Sequence, residues 1–273
     1  MRIFSRNAQY QKFVVLKTNR YKRGRYGEFL VEGVRNINNA LKNGFEATGF
    51  LYDAERSLSG WAKDTIKKGE CAYALSGELM AELSGKEDTS ELLGVFRMKE
   101  DRPEDIPLGK TPLLALFDRP SNHGNLGTVI RSMDALGMDG LLLTGHGVDP
   151  YDPAVISATM GSFFQLPFAR IAENERLFAW LDGLRTRYPG FQIVGTTAHQ
   201  EKRLDQVDFS RPTLLMIGNE TDGLNRAYKE MADVLTTIPM APEGSASSFN
   251  AACAATVMFY EARRQRGFFG KDE

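Results

Sequence analysis

The sequence predicts an α/β protein with a parallel β-sheet in its C-terminal part and helices on both faces of that sheet. Beyond residue 112 short apolar runs alternate with stretches of helical spacing, and this alternation is typical of a parallel sheet. A charged segment with two prolines, residues 99–107, interrupts the pattern and reads as a linker. We therefore expect an N-terminal domain over residues 1–99, a linker over 100–111 and a C-terminal domain over 112–273.

The N-terminal domain shows weaker but recognisable patterns. A helix is predicted near residues 34–43, a strand near 47–52, a second helix near 61–68, and further short elements up to residue 96. About a hundred residues with this mixture indicate a small α/β domain.

The C-terminal domain supplies the parallel sheet. Apolar runs predict buried strands at residues 113–117, 141–144, 192–196 and 214–217. Helical spacing is present at residues 129–136, 177–187 and 228–232, and an Ala-rich segment predicts a last helix near 249–265.

Composition excludes several classes of protein. Hydrophobic residues make up 42% and charged residues 25% of the 273 residues, as in ordinary globular proteins. No run of eighteen apolar residues predicts a membrane span, and residues 1–10 lack the apolar core of a signal peptide. Cys71 and Cys253 lack metal-type neighbours, so we expect two reduced thiols, no metal and a cytoplasmic location.

Positive charge is concentrated at the start of the chain. The first 35 residues hold nine Lys and Arg but two Glu, a net charge of +7, whereas the whole chain carries −1. Two tyrosines interleave with four cations: Arg20, Tyr21, Lys22, Arg23, Arg25 and Tyr26. Cations neutralise phosphates and tyrosines stack on unpaired bases. A solvated basic loop explains this segment equally well.

Three loops after predicted strands carry polar residues that suit a ligand site. The first, residues 118–127, contains Gly124 and Gly127 and leads into a helix with Arg131; Asn125 is placed to cap that helix. No dinucleotide or Walker fingerprint is present. Taken alone, this loop is better explained by an Arg131 that forms a surface ion pair.

The other two loops follow the same arrangement. Residues 218–223 run Gly-Asn-Glu-Thr-Asp-Gly, which a simple turn with an exposed Glu220 explains equally well. Residues 238–240 are Ile-Pro-Met, and Ser248 and Asn250 open the Ala-rich helix, where ordinary helix capping is the alternative explanation.

Together, the order and spacing of the three segments resemble the SpoU-type (TrmH-like) branch of the SPOUT RNA methyltransferases. Asn-x-Gly-x-x-x-Arg at 125–131, Gly-x-Glu at 218–220, and Ile-Pro-Met followed by Ser-x-Asn at 248–250 match its three motifs. Asn219 and Phe249 stand where a small residue and Leu are usual. Residues 29–35, 151–153 and 158–167 match further, whereas residues 54–112 match nothing.

This resemblance implies a deep trefoil knot, a homodimer and an N-terminal RNA-binding domain. It implies methyl transfer from S-adenosylmethionine to a ribose 2′-hydroxyl of structured RNA, with rRNA of the 23S type preferred over tRNA. The alternatives are a non-catalytic RNA-binding protein that retains the fold, and an unrelated doubly wound nucleotide-binding enzyme. The latter lacks a dinucleotide fingerprint.

The resemblance also assigns residues to roles. The catalytic set is Asn125, Arg131, Glu220, Ser248 and Asn250. The cofactor set is Thr196, Thr197, Gly218, Asn219, Ile238, Met240, Ser247 and Phe249. For RNA binding, the charge of the basic segment rather than the resemblance predicts Arg20, Lys22, Arg23 and Arg25. Because a free Arg stays protonated, we expect Arg131 to clamp the target phosphate and stabilise the developing alkoxide; a conditional base role stays open. His123, His146 and His199 are expected to be solvated.

Overall fold

The structure, a computed structural model, describes residues 1–86, 88–197 and 202–267. The chain divides into two compact units: Met1–Lys99 with Asp149–Gln165, and Glu100–Val148 with Leu166–Glu273. The sequence predicts residues 149–165 in the C-terminal domain, but the structure packs them in the first unit. The reason is aromatic packing, since the ring of Phe29 lies 4.8 Å from that of Tyr151 and 6.0 Å from that of Phe163.

The secondary structure runs as follows in chain order. The strands are β1 (Arg2–Ile3), β2 (Glu28–Glu32), β3 (Ala47–Asp53), β4 (Cys71–Leu75), β5 (Leu93–Arg97), β6 (Leu113–Asp118), β7 (Gly140–Thr144), β8 (Phe168–Ile171), β9 (Gln192–Thr196), β10 (Lys202–Arg203), β11 (Thr213–Ile217) and β12 (Val234–Thr237). The helices are α1 (Ala8–Thr18), α2 (Arg20–Tyr26), α3 (Val34–Lys42), α4 (Gly60–Ile66), α5 (Gly77–Ser84), α6 (His123–Ala135), α7 (Pro153–Ala158), α8 (Asn174–Arg187), α9 (Arg226–Met231) and α10 (Ala251–Gln265).

The first unit contains a mixed sheet with strand order β1-β4-β3-β5-β2. Strands β1, β4 and β3 run parallel, and β5 pairs antiparallel with both β3 and β2. Helix α1 buries Tyr10, Phe13 and Leu16 in a core shared with α5. The basic segment near residue 20 is helix α2 rather than a loop, because Asn19 caps its start and Gly27 ends it with a φ of +64°.

The second unit contains a parallel sheet with strand order β10-β12-β9-β11-β6-β7-β8. All residues of the adjacent strands β6, β7 and β11 are buried, as expected where helices cover both faces. The predicted parallel α/β fold is thereby confirmed; the knot stays a prediction. Because the strands are parallel, the loops after β6, β9, β11 and β12 leave the same edge of the sheet.

Two helix starts differ from the predicted ones because a polar side chain caps the helix. Helix α6 begins six residues earlier than predicted because Asn122, not Asn125, accepts a hydrogen bond from the first turn. Helix α10 begins two residues later because Asn250 is its cap. In the described part of the chain, no helix is both long and apolar enough to cross a membrane.

Candidate active site

The loops after β6 and β11 meet at Glu220. Its Oε2 atom accepts hydrogen bonds from the backbone N–H (2.9 Å) and the hydroxyl (2.7 Å) of Ser121. Its Oε1 atom accepts from the backbone N–H of Asn122 at 3.2 Å and from Nδ2 of Asn125 at 3.0 Å. One carboxylate therefore fixes the start of α6. Its negative charge is favourable there because the N-terminal end of a helix carries partial positive charge.

The third loop joins the same network through Asn250. Its Nδ2 atom donates to Oδ1 of Asn125 at 3.1 Å, and its Oδ1 atom accepts from the backbone N–H groups of Ala252 and Cys253. Helix capping, the ordinary explanation for Asn250, is thus real but uses one side of the amide. The other side connects Asn250 through Asn125 to Glu220.

Glu220 is an anion in this arrangement. Burial raises its pKa, but hydrogen bonds donated by Asn125 and Ser121 outweigh burial and hold the pKa below its ordinary value. At neutral pH the carboxylate is therefore an acceptor only. Its four hydrogen bonds suit it to hold neighbouring groups in place.

Arg131 lies on the exposed side of α6. Within the residues that the structure describes, its guanidinium makes no hydrogen bond or ion pair, and it does not line the cavity described below. The guanidinium is therefore available to an anion such as a phosphate. Arg131 is not brought into the Glu220–Asn125–Asn250 network, although it shares α6 with Asn125.

A cavity of about 770 Å³ opens beside this network. All eight residues predicted to bind the cofactor line it, together with Glu220 and Ser248. The eight are Thr196, Thr197, Gly218, Asn219, Ile238, Met240, Ser247 and Phe249. A Cβ atom on Gly218 would lie 2.3 Å from the backbone nitrogen of Leu224. Any residue other than glycine would therefore clash with the backbone at this wall of the cavity.

Several lining residues were not predicted. Arg203 of β10 reaches the cavity, as do Ala254, Ala255 and Met258 of α10. The Ala-rich start of α10 is a signal that could have indicated the helix residues, because small side chains permit close approach. Arg203 has no such signal, since it is an exposed residue that pairs with the exposed Asp205. Ser121, which donates hydrogen bonds to Glu220 but is not among the described lining residues, was missed as well.

Asn219 differs from the small residue usual in the resembled motif, and the structure shows what its side chain does. Its Oδ1 atom accepts from the backbone N–H of Thr221 at 2.8 Å and of Asp222 at 3.1 Å. Its Nδ2 atom donates to the backbone oxygen of Arg119 at 2.7 Å. The Asn side chain thus ties its own loop together and joins it to the loop after β6.

The residues predicted to bind RNA lie on α2, in the first unit. Arg20 and Arg25 are exposed and Lys22 is half-buried. Arg23 is different: its side chain is 2% exposed and forms ion pairs with Asp149 at 2.7 Å and Asp152 at 3.0 Å. Its Nη1 atom donates to the backbone oxygens of two α1 residues. Because this guanidinium is buried and used within the unit, we correct its assignment from RNA binding to structural support.

Neither the histidines that the structure describes nor a cluster of metal ligands among the described residues forms part of the site described above. His123 opens α6 and His146 follows β7, both exposed, and His199 lies outside the described residues. In the described ranges, no group of three or more His, Cys, Asp or Glu side chains could hold a metal ion.

Similarity to known proteins covers both units. The SpoU rRNA Methylase family model matches residues 112–260, and the SpoU L30e-like domain matches residues 7–94. A 23S rRNA (uridine(2479)-2′-O)-methyltransferase from Streptomyces viridochromogenes is 43% identical over 267 residues, which cover 97% of this chain and 92% of that protein.

Solved structures agree along nearly the whole chain. The SpoU methyltransferase AviRb from Streptomyces viridochromogenes, in complex with AdoMet, has a TM-score of 0.89 and 42% identity, covering 96% of this chain and 98% of that one. An AdoMet-bound rRNA methyltransferase from Sinorhizobium meliloti has a TM-score of 0.85 and 28% identity, covering 97% of each chain. The protein therefore belongs to the SpoU rRNA methylase family.

Proposed function

We propose that this protein transfers a methyl group from S-adenosylmethionine to a ribose 2′-hydroxyl of structured RNA. One observation carries the proposal: Glu220 lines the cavity and is hydrogen-bonded through Asn125 to Asn250, so the three loops form a single site. A similarity of 43% identity to an rRNA 2′-O-methyltransferase over 97% of the chain supports the same reaction.

The cavity suits the proposed cofactor. Its volume of about 770 Å³ lies within the usual range for small-molecule sites, roughly 300–1,000 Å³. Ile238, Met240 and Phe249, which line the cavity, would pack around the adenine, and the tight turn at Gly218 would bring backbone groups close to the cofactor. When bound, S-adenosylmethionine supplies a methyl group on a positively charged sulfur, which an oxygen nucleophile attacks in line.

The residues of the chain would act mainly by positioning. Holding a hydroxyl oxygen in line with the methyl carbon removes a large part of the barrier. Glu220 fixes Asn125 and, through it, Asn250; these amides and Ser248 would then orient the ribose. We assign the electrostatic part to Arg131, whose guanidinium would bind the target phosphate and stabilise negative charge as the hydroxyl releases its proton to solvent water.

The substrate we propose is rRNA in preference to tRNA. The relative that is 43% identical is a 23S rRNA methyltransferase, and this chain aligns with nearly its whole length. Helix α2 would contribute phosphate contacts through Arg20, Lys22 and Arg25, with the exposed rings of Tyr21 and Tyr26 available for stacking. We also expect the protein in the cytoplasm, where assembling ribosomes provide this substrate.

We propose a homodimer as well. Helix α10 packs against α6 through a contact of 2.8 Å between the hydroxyls of Ser132 and Thr256. Its outer side exposes Val257 and Tyr260, with exposed fractions of 40% and 51%. A second copy of the same helix would cover these side chains.

The experiment that tests the function uses the purified protein, methyl-labelled S-adenosylmethionine, and separate samples of unmodified 23S rRNA and tRNA. We expect label in 23S rRNA, at a position where reverse transcription pauses at low nucleotide concentration, as it does at 2′-O-methylated ribose. Cofactor binding without transfer would favour the non-catalytic RNA-binding protein. Neither cofactor binding nor methyl transfer would contradict the proposed function. Label in tRNA alone would contradict the proposed substrate.

A further inference from the structure

A second set of contacts joins the loop after β6 to the loop after β11, outside the proposed catalytic residues. Asp118 is the buried last residue of β6, and Arg119 follows it with a φ of +48°. The Arg119 guanidinium donates two hydrogen bonds of 3.0 Å to the Asp118 carboxylate. Two parallel bonds of this kind fix a guanidinium in direction as well as in position.

The same residue reaches the second loop. Arg119 Nη2 donates to the backbone oxygen of Gly223 at 3.3 Å, and Nη1 lies 3.7 Å from the Asp222 carboxylate. In the other direction, Asn219 Nδ2 donates to the backbone oxygen of Arg119 at 2.7 Å. Arg119 therefore contacts residues on both sides of Glu220.

The segment between these contacts is a closed turn. Asn219 and Gly223 exchange backbone hydrogen bonds of 3.1 Å and 3.0 Å. Past the turn, the backbone N–H of Asn225 donates to Asp118 at 3.0 Å. Because residues 219–223 are bonded to one another, they move together, and the position of the turn sets the position of Glu220.

The backbone at Arg119 indicates that this contact is maintained against a conformational preference. A positive φ is unfavourable for a side chain as large as that of Arg. Gly145 makes room for it, since a Cβ atom there would lie 2.5 Å from Cγ of Arg119. Strained residues of this kind persist where surrounding contacts hold them, and they concentrate at functional sites.

We propose that Arg119 is a positioning residue for Glu220. By holding the turn 219–223 against the end of β6, it sets where the Glu220 carboxylate meets Ser121, Asn122 and Asn125. Arg119 is not among the described residues that line the cavity, so it acts through Glu220 rather than on the cofactor. This inference rests on the proposed function, because it concerns the same site.

The first test replaces Arg119 with Asn, which adopts positive φ more readily than other L-residues and lacks the guanidinium. We expect kcat to fall on the order of a hundredfold, the effect of a small misplacement of catalytic groups, with little change in KM for RNA. Arg119→Lys should lose less activity, since Lys keeps the positive charge but cannot donate two parallel hydrogen bonds to the Asp118 carboxylate. The matched control is Arg226→Asn on α9, whose exposed side chain pairs with Glu230. Activity of Arg119→Asn equal to that of the control would overturn the inference.

A double-variant comparison separates positioning from a general structural role. If Arg119 works through Glu220, adding Arg119→Asn to Glu220→Ala should lower kcat by less than about threefold, because the affected contact is already gone. If the two losses instead multiply in the double variant, Arg119 acts independently of Glu220 and the inference is wrong. Thermal unfolding midpoints near that of the wild type would show that each variant is folded.

A third measurement does not depend on activity. The backbone N–H groups of Ser121 and Asn122 are at exposed residues, and both donate to Glu220. In Arg119→Asn we expect their hydrogen exchange to accelerate by about tenfold or more, while exchange in α8 stays unchanged. Unchanged exchange at Ser121 and Asn122 would overturn the inference. Faster exchange in a protein that transfers no methyl group would support the positioning role and reject the proposed function.

Discussion

At the scale of single residues, Arg131 is the residue whose substitution we expect to affect methyl transfer but not cofactor binding. Its guanidinium is exposed, lies away from the cavity lining, and has no bonded partner in the described part of the chain. We expect Arg131→Ala to lower methyl transfer by on the order of 10³-fold, the usual effect of removing a group that stabilises developing charge. The Kd for S-adenosylmethionine should change by less than about twofold, measured by isothermal titration.

The matched control for this variant is Arg187→Ala, which removes an exposed Arg at the end of α8. It should leave both turnover and cofactor affinity at wild-type levels. An equal loss of turnover and cofactor affinity in Arg131→Ala would contradict the assigned role, because it would place the guanidinium at the cofactor instead of the RNA.

The ionisation of Glu220 should make the stability of the folded protein depend on pH. Its pKa in the folded protein lies below the ordinary value because hydrogen bonds from Asn125 and Ser121 outweigh burial. A carboxylate with a depressed pKa contributes stability above its unfolded pKa and loses that contribution as pH falls through the folded pKa. We therefore expect the wild type to be more stable than Glu220→Gln at neutral pH, by a margin that shrinks below the ordinary value of 4.5.

Urea unfolding of both proteins at several pH values between about 3 and 7 measures this margin. As a control, Glu230→Gln removes an exposed carboxylate of α9 that pairs with Arg226. A margin for Glu220→Gln that is constant over the whole range would show that the carboxylate contributes nothing through its charge.

The motifs were predictable from the sequence, but the hydrogen bonds that join them were not. The resemblance of the three motifs to the SpoU-type family indicated Asn125, Glu220 and Asn250, and the structure connects all three. The sequence did not show that Asn122 would cap α6 and leave the Asn125 amide for Glu220. Arg119 was also missed, because its contacts depend on a positive φ and on a turn about a hundred residues later.

At the scale of elements, α2 is held by the buried side chain of Arg23. The guanidinium faces the carboxylates of Asp149 and Asp152, and the Asp149 side chain is itself 4% exposed. Removing one partner of a buried ion pair leaves an uncompensated charge, which usually costs about 3–5 kcal/mol. We expect Arg23→Met to lower the free energy of unfolding by about that amount, measured by urea denaturation.

Arg25→Met is the matched control, because it changes an exposed Arg in the same helix. It should alter the free energy of unfolding by less than about 0.5 kcal/mol. Equal effects of the two substitutions would mean that the Arg23 ion pairs add no stability.

Hydrophobic periodicity predicted the elements that bury one face or are wholly buried. It failed where tertiary contacts determine whether a helix forms or which unit a segment joins. The four predicted strands of the parallel sheet are present as β6, β7, β9 and β11. Helix α1 was missed because its apolar residues are not confined to one side. The segment 149–165 was assigned by its place in the sequence, whereas Tyr151 and Phe163 pack on Phe29, which precedes them by more than a hundred residues.

At the scale of the whole molecule, the proposed RNA surface should make binding depend on salt. Each cation that neutralises a phosphate releases counterions, so log K falls with log salt concentration. Replacing Arg20, Lys22 and Arg25 together with Gln should reduce this slope by about 2–3, roughly one per lost contact. Filter binding of 23S rRNA at several salt concentrations measures the slope, and cofactor affinity serves as the control. An unchanged slope would remove α2 from the RNA surface.

Dimer formation is the remaining property at this scale, and a substitution in α10 tests it. Val257 is apolar and 40% exposed on a helix whose other side packs on α6. A charge at the centre of an interface between two copies would have to be desolvated without a partner, which strongly disfavours association. We therefore expect Val257→Glu to shift the protein from dimer to monomer in light scattering, while its unfolding midpoint stays near that of the wild type. Val34→Glu, at a similarly exposed apolar residue of α3, should remain a dimer. A wild type that is monomeric at micromolar concentration, or a dimeric Val257→Glu, would show that this face of α10 does not join two copies.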